Sequence, residues 1–208
     1  MTSNLYIKIL FFFFWFSFAF SQLQWNSNKE KISIPFELTH NLIIVDVIIN
    51  NVDLKMVLDT GSERNLLFSF PEQDSIEFYS PKIIQVKGLG YGETLEAIIS
   101  SDNHFTTKKG KLFDKNFEIL LITNQNIGLI NKLGIPINGI IGSSFFKEFL
   151  VEIKYSSKRI VLHKKKDKII SRISNRYDET EIEIIQNKPY LKLDITNRNK
   201  LLDVNLLY

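Results

Sequence analysis

The sequence predicts an all-β fold with little helix, a barrel or a sandwich. Three observations point there. Apolar residues alternate with a period of two, the apolar runs are short, and turn-forming Asn, Asp, Gly and Ser separate them. Helical periodicity is thin throughout.

Bulk composition narrows the classes. The chain has 208 residues, 44% of them hydrophobic, so it can bury a core and is not a disordered polymer. A net charge of +3 is too small to argue for nucleic acid. The basic run "KRIVLHKKKDK", Lys158 to Lys168, reads as a solvated strand end, since no aromatic platform interleaves it. The absence of cysteine rules out disulfides, zinc ribbons and thiol catalysis. His40, His104 and His163 lie far apart, so no metal site is expected, and no cofactor.

Residues 1–21 read as an export signal. Lys8 supplies the positive start, Ile9 to Phe20 the apolar run, and Ala19 and Ser21 small residues before a cleavage at Gln22. The run is shorter than the roughly 20 residues of a membrane span. The mature protein is therefore expected in the periplasm or secreted, and a membrane is involved only if the segment stays uncleaved.

The strands follow in order. "ISIPFEL" alternates at Ile32, Ile34, Phe36 and Leu38. "LIIVDVIIN" is the next strand, and Asn50 to Asp53 form a turn because Asn and Asp tolerate left-handed backbone. "LKMVL" is continuously apolar apart from Lys55, which suggests burial on both faces. "KIIQV", "LEAIIS" and "FEILLI" continue the pattern. "FLVEIKYSSKRIVLHK" reads as a hairpin turning at Tyr155 to Lys158. Ser143-Ser144 are expected to cap a short helix through Phe149, and "EQDSI" to hold one turn.

The third strand ends in Asp59-Thr60-Gly61-Ser62. To split a peptide bond, one carboxylate must take a proton from water while a second gives one to the carbonyl. Two carboxyls sharing a site cannot both ionise, and the pair titrates as a unit. Each needs a stiff support. Here a buried strand delivers Asp59. Thr60 can tie to neighbouring backbone, Gly61 permits close approach and positive φ, and Ser62 can hydrogen-bond the carboxylate. Alone, the tripeptide is equally an ordinary turn. It gains weight from Ile140-Ile141-Gly142 far downstream, followed by a short helix and a hairpin, and from the glycine-rich "VKGLGYGE" between them.

Over Ile32 to His163 the chain resembles the retropepsin-like aspartic proteases, and within them the secreted bacterial aspartyl protease family chains. The resemblance implies a closed acid-protease barrel lobe over residues 22–168. It makes Asp59 the catalytic residue and Thr60, Gly61 and Ser62 its loop support. Gly88, Leu89, Gly90, Tyr91 and Gly92 become a flap hairpin, and Ile140, Ile141 and Gly142 the segment packed beneath the loop in the ψ-shaped strand crossing. It further implies a peptide or protein substrate and no nucleic-acid partner. One departure stands out: Glu63-Arg64 follow Ser62, which predicts a more polar core after the turn and an altered titration of the pair.

An aspartic protease needs two such aspartates, and the sequence has one D-T-G. "FELTHNLIIVDVIINN", Phe36 to Asn51, can be laid over "IEIIQNKPYLKLDITN", Ile182 to Asn197, with Asn41 on Asn187 and Val45, Val47 and Ile49 on Leu191, Leu193 and Ile195. With four extra turn residues, Met56-Val57-Leu58 falls on Leu206-Leu207-Tyr208. Residues 169–208 therefore read as the start of a second, incomplete repeat. The second Asp is expected from a missing C-terminal lobe or from a homodimer partner. The alternative is a catalytically inactive peptide-binding module on the same scaffold. Dinucleotide binding through Gly88, Gly90 and Gly92 fits poorly, since the third glycine comes one residue early and no helix follows. No G-x-S-x-G supports a serine hydrolase.

Overall fold

The computed structural model describes residues 23–25, 28–68, 76–87, 94–122, 134, 136–186, 188–197 and 200–207. The predicted export signal (1–21), the flap (88–92) and most of the "EQDSI" turn lie outside the described residues. The first strands are β1 (Gln24–Trp25), β2 (Lys31–Pro35), β3 (Glu37–Thr39), β4 (Leu42–Ile49), β5 (Val52–Leu58) and β6 (Leu66–Leu67). Then come β7 (Lys82–Lys87), β8 (Thr94–Thr107), β9 (Leu112–Leu121) and β10 (Gly139–Ile141). A short helix α1 (Ser144–Glu148) precedes β11 (Leu150–Lys154) and β12 (Arg159–His163). The chain continues through α2 (Asp167–Ser174), β13 (Ile182–Ile185), β14 (Lys188–Asn197) and β15 (Lys200–Leu207).

Six strands close on themselves in the order β9, β6, β10, β5, β4 and β8, with β8 pairing back to β9. Barrel or sandwich is thus decided for a closed barrel, which leaves its six strands no free edge. Period-two alternation supplies the interior: Val45, Val47, Ile49, Leu54, Met56 and Leu58 point into the main core. The opposite faces of β4 and β5 are also covered, because Ile44 and Val57 pack with Ile137 in a second cluster. That double burial is the origin of the consecutive apolar residues Met56-Val57-Leu58 in "LKMVL". Phe105 stacks on Phe117 at 4.6 Å between centroids, across the long β8–β9 hairpin. That hairpin is irregular between Ser100 and Phe105, where Asn103 is fully buried and bonds Ser100 and the Phe117 carbonyl.

Predicted strand boundaries shift where backbone demands it. "ISIPFEL" breaks at Phe36, whose N–H leaves the ladder to meet the Lys158 carbonyl at 3.0 Å. The turn after β4 is shorter than predicted: Asn50 and Asn51 alone carry positive φ, and Val52 already belongs to β5. The 155–158 hairpin turn forms as expected between β11 and β12, which with β2 make a second sheet that closes the core from below. The basic run is not simply a solvated strand end. His163 within it is buried, and its last residues begin α2, an amphipathic helix whose Ile169 reaches the interior.

Strands β13–β15 form a separate meander. Its pairing matches that of β3–β5 position by position. Glu37 opposite Ile44 recurs as Glu183 opposite Tyr190, and Val45 opposite Met56 as Leu191 opposite Leu206. The first turn carries His40 at φ 50°, and its counterpart Gln186 lies at φ 49°. The second hairpin differs by the added pairs Thr196–Leu201 and Asn197–Lys200. On β13, Ile182, Ile184 and Ile185 remain substantially exposed.

Candidate active site

Asp59 stands one residue beyond β5, half buried at the barrel rim. Its backbone N–H donates to the Ile141 carbonyl at 3.0 Å, so the parallel pairing with β10 continues up to the carboxylate-bearing residue itself. The Gly61 N–H donates to Asp59 Oδ1 at 2.9 Å, an Asx-turn that fixes the carboxylate over its own loop. A carboxylate that accepts a backbone N–H is held in one orientation with the other oxygen left for chemistry.

Three local expectations are corrected. Ser62 does not bond the carboxylate. Its hydroxyl has one proton and donates it to the Arg64 carbonyl at 2.8 Å, closing the turn instead. Gly61 does not adopt left-handed backbone; among the described glycines, positive φ falls at Gly110 and Gly134. The charged pair after the turn does not make the core polar either. Glu63 and Arg64 are exposed, and Arg64 reaches Glu118 at 3.2 Å on the surface.

The loop is clamped by a strand crossing. β10 lies between β5 and β6, parallel to the first and antiparallel to the second. Such an insertion forces backbone against backbone, and glycine sits at both ends of the inserted strand. A Cβ on Gly139 would overlap the Leu66 carbonyl, and one on Gly142 would lie 2.7 Å from both the Ser62 and Arg64 carbonyl oxygens. The second glycine thus presses directly on the turn that follows Asp59. Ser143 N–H donates to the Ser62 carbonyl at 2.8 Å, which binds the two segments further.

Two asparagines complete the clamp, and neither was singled out in the sequence. Asn65 is buried. Its Oδ1 accepts from the Gly142 N–H at 3.1 Å, and its Nδ2 donates to the Glu118 carbonyl at 2.9 Å. Asn138 bridges the other end: its Oδ1 accepts from Lys55 N–H and its N–H donates to the Lys55 carbonyl, each at 2.8 Å. The only available signal was an amide preceding each short apolar run, in "RNLLF" and "INGII".

The structure therefore brings Asp59, Gly61, Ser62, Ile141 and Gly142 together, and Ile140 pairs beside them with Val57 and Leu66. Thr60 borders a cavity of about 230 Å³, shared with Ser143, Phe146 and Lys147 of the α1 segment and with Ile182, Ile184 and Pro189 of the C-terminal meander. Ser143 precedes α1 as foreseen, but its hydroxyl makes no capping bond and is buried without a partner. Among the described residues no cluster of three or more His, Asp or Glu side chains could hold a metal. The arrangement can orient one carboxylate rigidly at a rim; proton sharing needs a second.

No family model and no curated protein matches this sequence. Among solved structures the chain is similar to a retropepsin-like aspartic protease from Rickettsia conorii, with a TM-score of 0.42 and 17% identity over 69% of this chain and 93% of that one.

Proposed function

We propose that this chain is an aspartic-type endopeptidase lobe that hydrolyses peptide bonds through a water activated at Asp59. The observation that carries the proposal is the clamp: the Asp59 N–H bonded to Ile141 and the Gly142 backbone pressed on the Ser62–Arg64 turn. A carboxylate that must share a proton with a twin gains from a support that cannot drift. The substrate backbone would lie across the rim, and attack by water proceeds without a covalent enzyme intermediate.

The second carboxylate comes either from another copy of the chain or from a second lobe. The matched registers of β3–β5 and β13–β15, with the same left-handed φ at His40 and Gln186 in the first turn, favour a duplicated lobe. The single D-T-G of the sequence motivates the other reading, a peptide-binding module without chemistry.

The deciding experiment compares wild type with Asp59→Asn on an unstructured protein substrate across acid and neutral pH. Hydrolysis lost in the variant, with its unfolding curve unchanged, supports the enzyme. Hydrolysis that survives in the variant refutes it, and binding of a transition-state mimic without turnover selects the binding module.

A further inference from the structure

A second cavity, of about 240 Å³ and sharing no lining residue with the one at Thr60, lies between the β2–β12–β11 sheet and the C-terminal half of α2. Four cationic side chains line it: Lys31, Lys154, Arg172 and Arg176. One carboxylate, Glu152, shares the lining, and its charge is already met. It accepts from the Tyr177 hydroxyl at 2.7 Å, meets His163 Nε2 at 3.2 Å, and pairs with Lys154 at 3.4 Å. Burial raises the Glu152 pKa, but these contacts outweigh it and hold the group below the usual range. Lys31, Arg172 and Arg176 form no ion pair among the described residues, although the field of Arg172 reaches Glu30.

Lys31, Arg172 and Arg176 are exposed, so water screens their mutual repulsion, and Glu30 offsets part of it; positive charge still exceeds negative in the lining, four cations to one carboxylate. His163, more than nine-tenths buried, forms the floor, where its imidazole is fixed by Glu152. Arginine forks match the oxygen geometry of phosphate bidentately, and lysine adds a point charge. The cavity is also larger than a bare tetrahedral oxyanion needs. We infer that this cavity, formed by Lys31, Arg172 and Arg176 over the His163–Glu152 pair, binds a phosphate dianion, presented as a small phosphomonoester. The site is independent of the chemistry proposed at Asp59.

The two arginines near the end of α2 also complement its dipole. That role alone would affect stability and leave phosphate without effect, which makes the two separable. The full chain is titrated calorimetrically with inorganic phosphate and with glycerol 2-phosphate, each against chloride at matched ionic strength. The buffer is near pH 7.5, where phosphate is mainly dianionic. The expected result is saturable binding of either phosphate and none of chloride. Binding should be at least about tenfold weaker in the double variant Arg172→Gln/Arg176→Gln, both exposed positions, with its unfolding curve measured alongside to show that it is folded. The His163 ring resonances should shift on phosphate addition in wild type only. Tighter binding of the ester shows that the extra volume is used, and equal binding shows that the phosphate group alone is read. No saturable phosphate binding, or equal affinity in wild type and double variant, would overturn the assignment.

Discussion

Replacing Gly142 with alanine tests the strand crossing more directly than any change to Asp59. The new Cβ would meet two backbone carbonyl oxygens, Ser62 and Arg64, at 2.7 Å each, well inside ordinary carbon–oxygen contact. Neither oxygen belongs to a flexible side chain, so the loop or β10 must shift by several tenths of an ångström. Overpacking of this kind costs about 1–3 kcal/mol. The shift also strains the bonds from Ser143 N–H to Ser62 and from Gly142 N–H to Asn65, each worth about 1 kcal/mol. The combined loss is roughly 2–4 kcal/mol, a large share of the ~5–15 kcal/mol typical of a domain. Urea unfolding reads it as a lower midpoint at unchanged slope. Gly110→Ala provides the comparison: its φ of 60° strains alanine by ~1–2 kcal/mol, but nothing lies within 4 Å of the new methyl. If Gly142→Ala unfolds within about 0.5 kcal/mol of wild type, or costs less than Gly110→Ala, the β10 strand does not press on the Asp59 turn as described.

Two further changes follow from the hydrogen bonds. Asn65→Ala strands the buried Gly142 N–H and the Glu118 carbonyl, and should cost about 2–4 kcal/mol in the same unfolding assay. Asn65→Asp, which keeps only the acceptor, should also destabilise, because the Glu118 carbonyl then faces a carboxylate. The Glu152 carboxyl, held below its ordinary pKa by Tyr177, His163 and Lys154 against the effect of burial, stabilises the fold above the unfolded-state pKa of ~4.3. That contribution is lost as pH falls through the lower folded value. Glu152→Gln should therefore flatten the acid limb of the stability–pH curve and lower stability at neutral pH; an unchanged acid limb would contradict the pairing.

How much was legible in the sequence depends on whether the governing interaction was local. Alternating apolar residues placed β4, β7, β11 and β12 within a residue or two, because sheet faces select side chains at a period of two, whereas the single strand expected over Ile32 to Leu38 divides into β2 and β3. The Asn50-Asn51 turn was visible because Asn tolerates positive φ, and the Tyr155–Lys158 turn because Ser156-Ser157 separate two apolar runs; the positive φ at Lys158 was not. The family resemblance placed Gly142 beneath the Asp59 loop, but the carbonyls of Ser62 and Arg64 that crowd it were not legible. Helix α2 went unread because its basic residues hide a short apolar stripe, of which Ile169 is buried and Ile170 is not. The Ser62 hydroxyl was assigned to the wrong acceptor, since one rotatable proton can reach either a carboxylate or a carbonyl and only the closed turn decides.

By itself the sequence determined a β-rich chain with an Asp at the end of a doubly buried strand and two short meanders of like pattern. The closing of the strands into a ring and the threading of β10 between β5 and β6 were implied by the family resemblance and by no local pattern; the tertiary structure shows both. Tertiary structure alone decided that Asn65 and Asn138 lock that crossing, and that the Lys31, Arg172 and Arg176 side chains face one cavity. The physical reason is range. Periodicity and turn preference act over a few residues, whereas barrel closure, backbone clamps and charge clusters join residues some eighty to one hundred and forty positions apart, as Lys55 with Asn138 and Lys31 with Arg172.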